Sequence, residues 1–509
     1  MNAATEVSTT DFGDGWNPLF VKELRQSLRS RGFTVLFVLT QLVGAAIAVA
    51  ALLWGDPGPD LGPTLLTALA TALGLGIVVV IPIFAFQSLA QEFEENTLDL
   101  LLLSQLGPGR IVLGKLFSAL SQVLLLAISF APYFAICLLL EGVDLILPAT
   151  LLVSAVCLSA AATCVALGLA SLARSRALRS ALLGILTLAL LFISMAMLPV
   201  LGQLVRQTQI LRAGEFWGTY WILFVLLVFL AAMALMTSRA HLSHPEEAAT
   251  MPARTIALIG AVVLPFAIYA LPAARGMMDG NPGLVAMVAL LVLVPAAVSF
   301  ATERGSMGRV LARQLRGRRA YGLGAFLVLP GAGRGALCAL ALFILVGASS
   351  NAANAVFGTR ASSGFFLGDS LARYAVLASY AWIYLVPVSL ICSLFGKWPA
   401  WRWVARLAYP LLAIVSILGG MLIGSILGDE RMSDGYHLLN PVTTFGEMSS
   451  GFADRGVRAL FAIAAAMTLF MVPRWIMNVR EVLRATAPAA SGAARPVGST
   501  ASMPTTGGN

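Results

Sequence analysis

Apolar residues arrive along this chain in long blocks, and polar residues are confined to the short stretches between them. The blocks cover about 33–54, 64–88, 117–140, 145–172, 178–201 and 217–237, and then about 255–274, 282–302, 335–357, 372–395, 407–428 and 457–477. Each is long enough to cross the ~30 Å hydrocarbon layer as a helix, whereas a membrane strand would show ~10 residues of alternating polarity. The pattern predicts an all-α, polytopic helical membrane protein with twelve transmembrane helices in two groups of six. Residues 1–16 read as a disordered N-terminal tail and 17–240 as a first six-helix core. Residues 241–484 read as a second six-helix region, and the small, Pro- and Gly-rich stretch 485–509 as a disordered tail.

Composition agrees. Hydrophobic residues make up 59% of the 509 and charged residues 11%, against about 25% charged in an ordinary soluble domain. A net charge of +9 would raise nucleic acid as a partner in a soluble protein. Here cytoplasmic loop bias explains it, and no nucleic-acid partner is expected. The five cysteines all fall in apolar blocks, with no disulfide or metal spacing. The first block is too long for the core of a signal peptide and is expected to stay as an anchor.

Loop charges set a direction. With both termini in the cytoplasm, the inside segments hold Lys22, Arg25, Arg29 and Arg31, then Arg110 and Lys115, then Arg174, Arg176 and Arg179. Arg239 and Arg254 follow helix 6, and seven arginines lie between helices 8 and 9. Most of the 33 Lys and Arg fall on that side, as the positive-inside rule requires. No ionisable residue lies in the centre of an apolar block, which argues against an ion- or proton-coupled transporter. The longest inside loop is too short for an ATPase domain.

Two polar stretches carry candidate chemistry. Residues 91–106 cluster Glu92, Glu94, Glu95 and Asp99 after helix 2, followed by a short apolar segment and the Gly107-Pro108-Gly109 break. Acid ahead of an apolar turn suits a helix N-terminus, so a short surface helix is expected; a plain solvated acidic loop would read the same way. In residues 17–31, Phe20, Leu24 and Leu28 recur at four-residue spacing with Lys22, Arg25 and Arg29 at other angles. That predicts an interfacial amphipathic helix facing membrane lipid, with Asn17 as N-cap and Pro18 at its first position. A simple topogenic basic flank is the alternative.

These two stretches resemble ABC-2-type ABC-transporter permeases. The likeness lies in Asn17-Pro18 with Lys22-Glu23-Leu24-Arg25, and in the segment from Glu92 through Thr97-Leu98-Asp99 to Gly114-Lys115-Leu116. The resemblance implies a six-helix membrane core whose ATP is hydrolysed by a separate or fused nucleotide-binding subunit. It implies no cofactor on this chain, since ATP and Mg²⁺ would sit on the partner. The helices before helix 1 and between helices 2 and 3 would contact that ATP-binding subunit. Coupling would then fall to Asn17, Pro18, Lys22, Glu23, Arg25, Glu92, Glu94, Glu95, Thr97 and Asp99, through salt bridges and hydrogen bonds. Asn96 stands where the family usually has Gly, and Ser104-Gln105-Leu106 where Thr-Pro-Leu is common.

Asn440-Pro441 through Phe445 resembles a segment that the family carries outside, between its fifth and sixth helices, so the second half reads as a diverged copy of the first; an ordinary Asn-Pro turn is the alternative. The loop after helix 8 carries Arg304, Arg309, Arg313, Arg316, Arg318, Arg319 and Arg334 in place of a glutamate cluster. Topology alone would explain them, as would anionic lipid or an acidic partner. Gly420, Gly424 and Gly428 share one helix face and suit close helix packing. Gly109 to Lys115 spells most of a phosphate-binding loop, but Leu116 replaces the Mg²⁺-binding hydroxyl. His241 and His244 with Glu246 and Glu247 are interrupted by Pro245 and lack further metal ligands. The expectation is therefore a permease subunit in a bacterial inner membrane, not an enzyme, acting as one chain, as a homodimer or with a second permease. The rival reading is a polytopic scaffold or regulatory protein that moves nothing.

Overall fold

The computed structural model describes residues 18–55, 58, 60–95, 107–140, 143–172, 175–243, 250–278, 281–303, 309–316, 326–358, 369–395, 404–406, 408–413, 415–416 and 455–487. Among these there is no strand. A short helix α1 (Pro18–Leu28) precedes α2 (Arg31–Trp54). The next span is α3 (Leu61–Gly74), a π-helical segment Leu75–Val80 and α4 (Ile81–Glu94), continuous with one another. Then come α5 (Pro108–Leu139), α6 (Ile146–Leu172), α7 (Arg176–Arg206) and α8 (Gly214–Leu242). The second half contributes α9 (Met251–Ala270), short α10 (Pro272–Met278), α11 (Pro282–Ala301), short α12 (Arg309–Leu315), α13 (Ala332–Phe357), α14 (Asp369–Phe395) and α15 (Arg455–Ala485).

Eleven helices among the described residues are long and apolar enough to cross a membrane. Each corresponds to an expected block. The twelfth, expected at 407–428, is helical at 408–413 and lies mostly outside the described residues, as do Gly420, Gly424, Gly428 and the Asn440-Pro441 segment. Residues 1–17 and 488–509 also lie outside them. Local signals set several helix starts. Ser30 caps α2 by accepting from the Phe33 amide at 3.2 Å, and Ser175 caps α7 through the Leu178 amide at 3.3 Å. Pro108 and Pro282 open α5 and α11 at the position where a missing N–H costs nothing.

One boundary differs in a way that matters. The third helix was expected from 117 and begins at Pro108. Arg110 and Lys115, read as loop cations, are therefore helical, and Lys115 sits two turns inside.

Two apolar cores form side by side. The first joins α2 to α7; the second joins α9, α11, α13 and α14. Helix α8 serves both, with Leu242 in the first and Ile222 and Met233 in the second. Lipid offers no hydrophobic drive between helices, so close approach through small residues carries the packing. In the second core Ala257, Ala261, Ala286, Ala289, Ala297, Ala336 and Ala339 are fully buried. Helix α7, by contrast, exposes Leu188 and Phe192 to the surroundings.

Neighbour relations recur between the halves. In the first, α2 packs on α3 and α5, α4 on α5 and α6, α5 on α6 and α8, and α6 on α8. In the second, α9 packs on α11 and α13, α11 on α13 and α14, α13 on α14 and α15, and α14 on α15.

A Cβ at Gly335 would overlap the Phe300 carbonyl oxygen, whereas Gly184 has open space around it. We expect Gly335→Ala to destabilise the detergent-solubilised chain by about 1–3 kcal/mol through overpacking. Gly184→Ala should be neutral or stabilising by up to about 1 kcal/mol. Thermal unfolding of the two variants checks the difference.

Candidate functional site

Helix α1, expected to lie in the membrane interface, turns one face onto the bundle. Phe20, Glu23 and Ser27 point at α5, while Leu28 is exposed together with Lys22, Arg25, Gln26 and Arg29. Phe20 meets the edge of Phe117 at 6.2 Å between ring centroids, and the Ser27 and Ser118 hydroxyls lie 2.7 Å apart. Phe20 of the apolar stripe takes part in this contact, and Glu23 joins it because Lys115 is almost wholly buried and needs a carboxylate.

Lys115 organises the site. Its ammonium donates to Glu23 Oε2 at 3.2 Å and to Ser88 Oγ at 2.8 Å, and lies 2.8 Å from Glu92 Oε1. Three donors thus meet three acceptors from two elements. Ser88 and Glu92 stand four residues apart on α4, and Lys115 and Ser118 three apart on α5, so each pair shares a helix face. The lysine carbon stem runs along apolar neighbours and its head sits in the polar knot.

Above this knot lies a cleft of about 560 Å³, lined by Lys22, Glu23, Gln26 and Ser27 of α1, by Gln87, Ser88, Gln91 and Glu92 of α4, by Glu95, and by Lys115, Ser118 and Gln122 of α5. A second hollow of about 730 Å³ lies on the other side of α4, between Glu94, Glu95 and the start of α7 at Arg176 and Arg179. Glu94 pairs with Arg179 across it. The last turn of α4 is therefore a wedge between two polar hollows, held on one side by Lys115 and on the other by Arg179. Glu95, just past the helix end, is exposed and accepts from Gln91 Nε2 at 2.6 Å.

The sequence-expected residues separate into groups. Glu23 and Glu92 meet at Lys115, Glu94 turns to Arg179, and Lys22, Arg25 and Glu95 stay exposed around the cleft. Pro18 begins α1 as expected. Asn17, Thr97 and Asp99 lie outside the described residues, as does the expected surface helix beyond Glu95. Sequence reasoning missed Lys115, Ser88, Ser118 and Arg179. Gly107-Pro108 was the available signal: a helix started there carries Lys115 into the bundle, where an intramembrane cation calls for a partner.

A second polar knot joins α9, α11, α13 and α15, the last reaching it at Glu481. Arg254 and Arg334, read as positive-inside flank residues, have fully buried side chains. Arg254 Nη2 meets Glu303 Oε2 at 2.6 Å. Arg254 also donates to the carbonyls of Leu329 at 2.5 Å and Gly331 at 3.1 Å, and its guanidinium lies 5.5 Å from the Phe300 ring centre. Glu303 accepts in turn from the Gly331 amide at 3.1 Å. Arg334 reaches Glu481 at 3.3 Å and the Pro330 carbonyl at 2.9 Å. Gly331 has φ +139°, a backbone region few side chains tolerate. Leu311, Leu315, Leu329 and Val482 form a small apolar cluster on this side of the second half.

Among the described residues no group of three or more His, Cys, Asp or Glu could hold a metal ion. His244, Glu246 and Glu247 lie outside them. Gly109 to Lys115 is continuous α-helix. The chemistry on offer is ionic recognition and mechanical linkage. No protein-family model, curated protein or solved structure matches the chain.

Lys115→Met would leave two buried carboxylates facing each other. It should cost about 3–5 kcal/mol, the range for breaking a buried ion pair. Adding Glu92→Gln should recover part of that loss, because one uncompensated charge is gone. Thermal unfolding of the single and double variants measures both steps.

Proposed function

We propose that this chain is the membrane permease subunit of an ABC-2-type ABC transporter. It moves its substrate with energy from ATP hydrolysed on a separate nucleotide-binding subunit. The observation that carries this reading is the cleft at the ends of α1, α4 and α5, floored by Lys115 and edged by exposed Lys22, Gln26, Gln91 and Glu95. A partner that presses on this edge moves α1, and through the buried charges it moves α4 and α5 as one piece. The opening motif Asn17-Pro18…Lys22-Glu23-Leu24-Arg25 and the Glu92–Asp99 segment support the same assignment by resemblance.

In this reading there are twelve spans in two groups of six, with both termini and the cleft in the cytoplasm of a bacterial cell. The loop arginines favour that orientation, and the inner membrane follows from the resemblance to the family. The apolar helix surfaces suit a lipid-like or amphiphilic cargo. Glu23 and Glu92 act inside the chain as the linkage, and Lys22, Arg25 and Glu95 meet the partner.

The test is capture of the ATP-binding subunit encoded beside the gene, followed by ATPase measurement in liposomes. Capture and stimulated hydrolysis are expected. Charge reversal at both Arg25→Glu and Glu95→Arg should weaken capture about ten-fold or more, as loss of rim charge pairs does in other interfaces, while thermal stability stays unchanged. ATP turnover by the purified chain alone, or no captured ATPase, would refute the assignment.

A further inference from the structure

The second polar knot occupies the place in its half that Lys115 occupies in the first. The recurring neighbour relations match α3–α4 with α11 and α5 with α13. The ends so matched carry Glu92 and Lys115 in one half, and Glu303 and Arg334 in the other. The third member comes with the first span of each group: Glu23, on α1 just ahead of α2, and Arg254, in the first turn of α9. Alternating passes of the spanning helices put both knots at one end of the bundle.

We propose that α9, α11, α13, α14 and α15 are a structural repeat of α2, α3–α4, α5, α6 and α8, with a charged tie at the matching ends that α1 completes through Glu23 in the first half and that residues 327–331 seal in the second. Each chain then offers one open cleft for a partner and one self-occupied counterpart.

The charges explain why one knot can close and the other stays open. Around Lys115 two carboxylates face one buried ammonium, and the further cation beside Glu92, Lys22, sits exposed at the cleft edge. Around Arg254 both guanidiniums are buried and face the carboxylates of Glu303 and Glu481, and the cluster balances, with Glu481 partly exposed at its margin. A balanced cluster rich in hydrogen bonds can be taken out of water, whereas an unbalanced one needs water or an outside charge beside it. The sealing material is also visible. Residues 327–331 deliver backbone carbonyls to both arginines. In the first half the equivalent space is the cleft, where Gln26, Gln91 and Glu95 are exposed. That the open cleft receives a partner rests on the transporter reading; the repeat and its seal do not.

Two native cysteines report on the seal. Cys392 donates to the Thr302 carbonyl at 3.2 Å, next to Glu303, and Cys338 lies one turn beyond Arg334; both are buried. The full chain in detergent is treated with a charged, water-soluble maleimide, and labelled sites are located by peptide mass spectrometry. Gln26→Cys and Gln91→Cys should label at least about ten-fold faster than Cys338 and Cys392, whose reaction awaits local opening. Equal rates would overturn the proposal. Arg254→Met should raise Cys392 labelling by about ten-fold or more as that opening becomes easier, while Lys115→Met leaves it unchanged. An unaltered Cys392 rate in Arg254→Met would also overturn it. If Arg254→Met fails to accumulate, the comparison of cleft and native cysteines decides alone. No ATPase is present in this experiment. A clear labelling contrast beside a failed ATPase capture would therefore remove the transporter reading and leave the repeat standing.

Discussion

Burying the ammonium of Lys115 is the constraint on which the rest of this end of the molecule depends. A lone cation taken out of water costs several kcal/mol, and its partners must return that cost through close geometry. Lys115 obtains it only when α1 lies across α5 with Glu23 inward and when α4 ends so that Glu92 and Ser88 face the same point. Three segments are thereby fixed in register by one side chain. The Ser27–Ser118 contact and the Phe20–Phe117 ring pair extend the same interface along α1. A surface helix attached in this way moves with the ends of two long helices. That is the mechanical property a subunit driven from outside requires.

The bundle beneath is tied differently. Between apolar helices in lipid, attraction comes from close van der Waals approach, and alanine and glycine permit it. Mid-helix ties are single hydrogen bonds, such as Gln41 to Ser129 and Ser159 to the Ile77 carbonyl, whereas the buried ion pairs among the described residues sit at helix ends. The two knots divide the labour. In the Arg254 cluster both guanidiniums are enclosed and wired to backbone carbonyls, with Glu481 partly exposed at the margin, which suits a fixed anchor. The Lys115 cluster borders the cleft, with Lys22 exposed at its edge. Arg179, paired with Glu94 across the second hollow, links α7 to the same wedge and widens the part of the first half that would respond.

Much of the helical layout was legible because hydrocarbon imposes a length on apolar runs; the blocks at 33–54 and 282–302 correspond closely to α2 and α11. One helix end was legible where chemistry marks it, Pro18 at the start of α1; Ser175 and Pro282 mark α7 and α11 in the same way but were not used. The site was half legible. Glu92 and Glu94 stood out because acid is rare on a basic side, and Glu23 through the resemblance; all three are engaged. Their partners did not stand out. Lys115, Arg254 and Arg334 look like ordinary flank cations in one dimension, since a positive charge near a membrane helix is the default. Only the three-dimensional meeting of helix ends shows that these three are enclosed. Which face of α1 turns inward was not legible for the same reason: a periodicity of apolar residues gives no weight to a buried lysine on the next helix.

The most direct measurement is disulfide trapping of α1 on α5. The Ser27 and Ser118 hydroxyls are 2.7 Å apart, so cysteines there bring two sulfurs face to face across the α1–α5 contact. In the Ser27→Cys/Ser118→Cys chain, mild oxidation should form the intramolecular bond nearly completely, while Arg29→Cys/Ser118→Cys, with Arg29 on the exposed side of α1, should form little. Equal yields from both pairs, or no bond in the first, would show that α1 does not rest on the Lys115 knot.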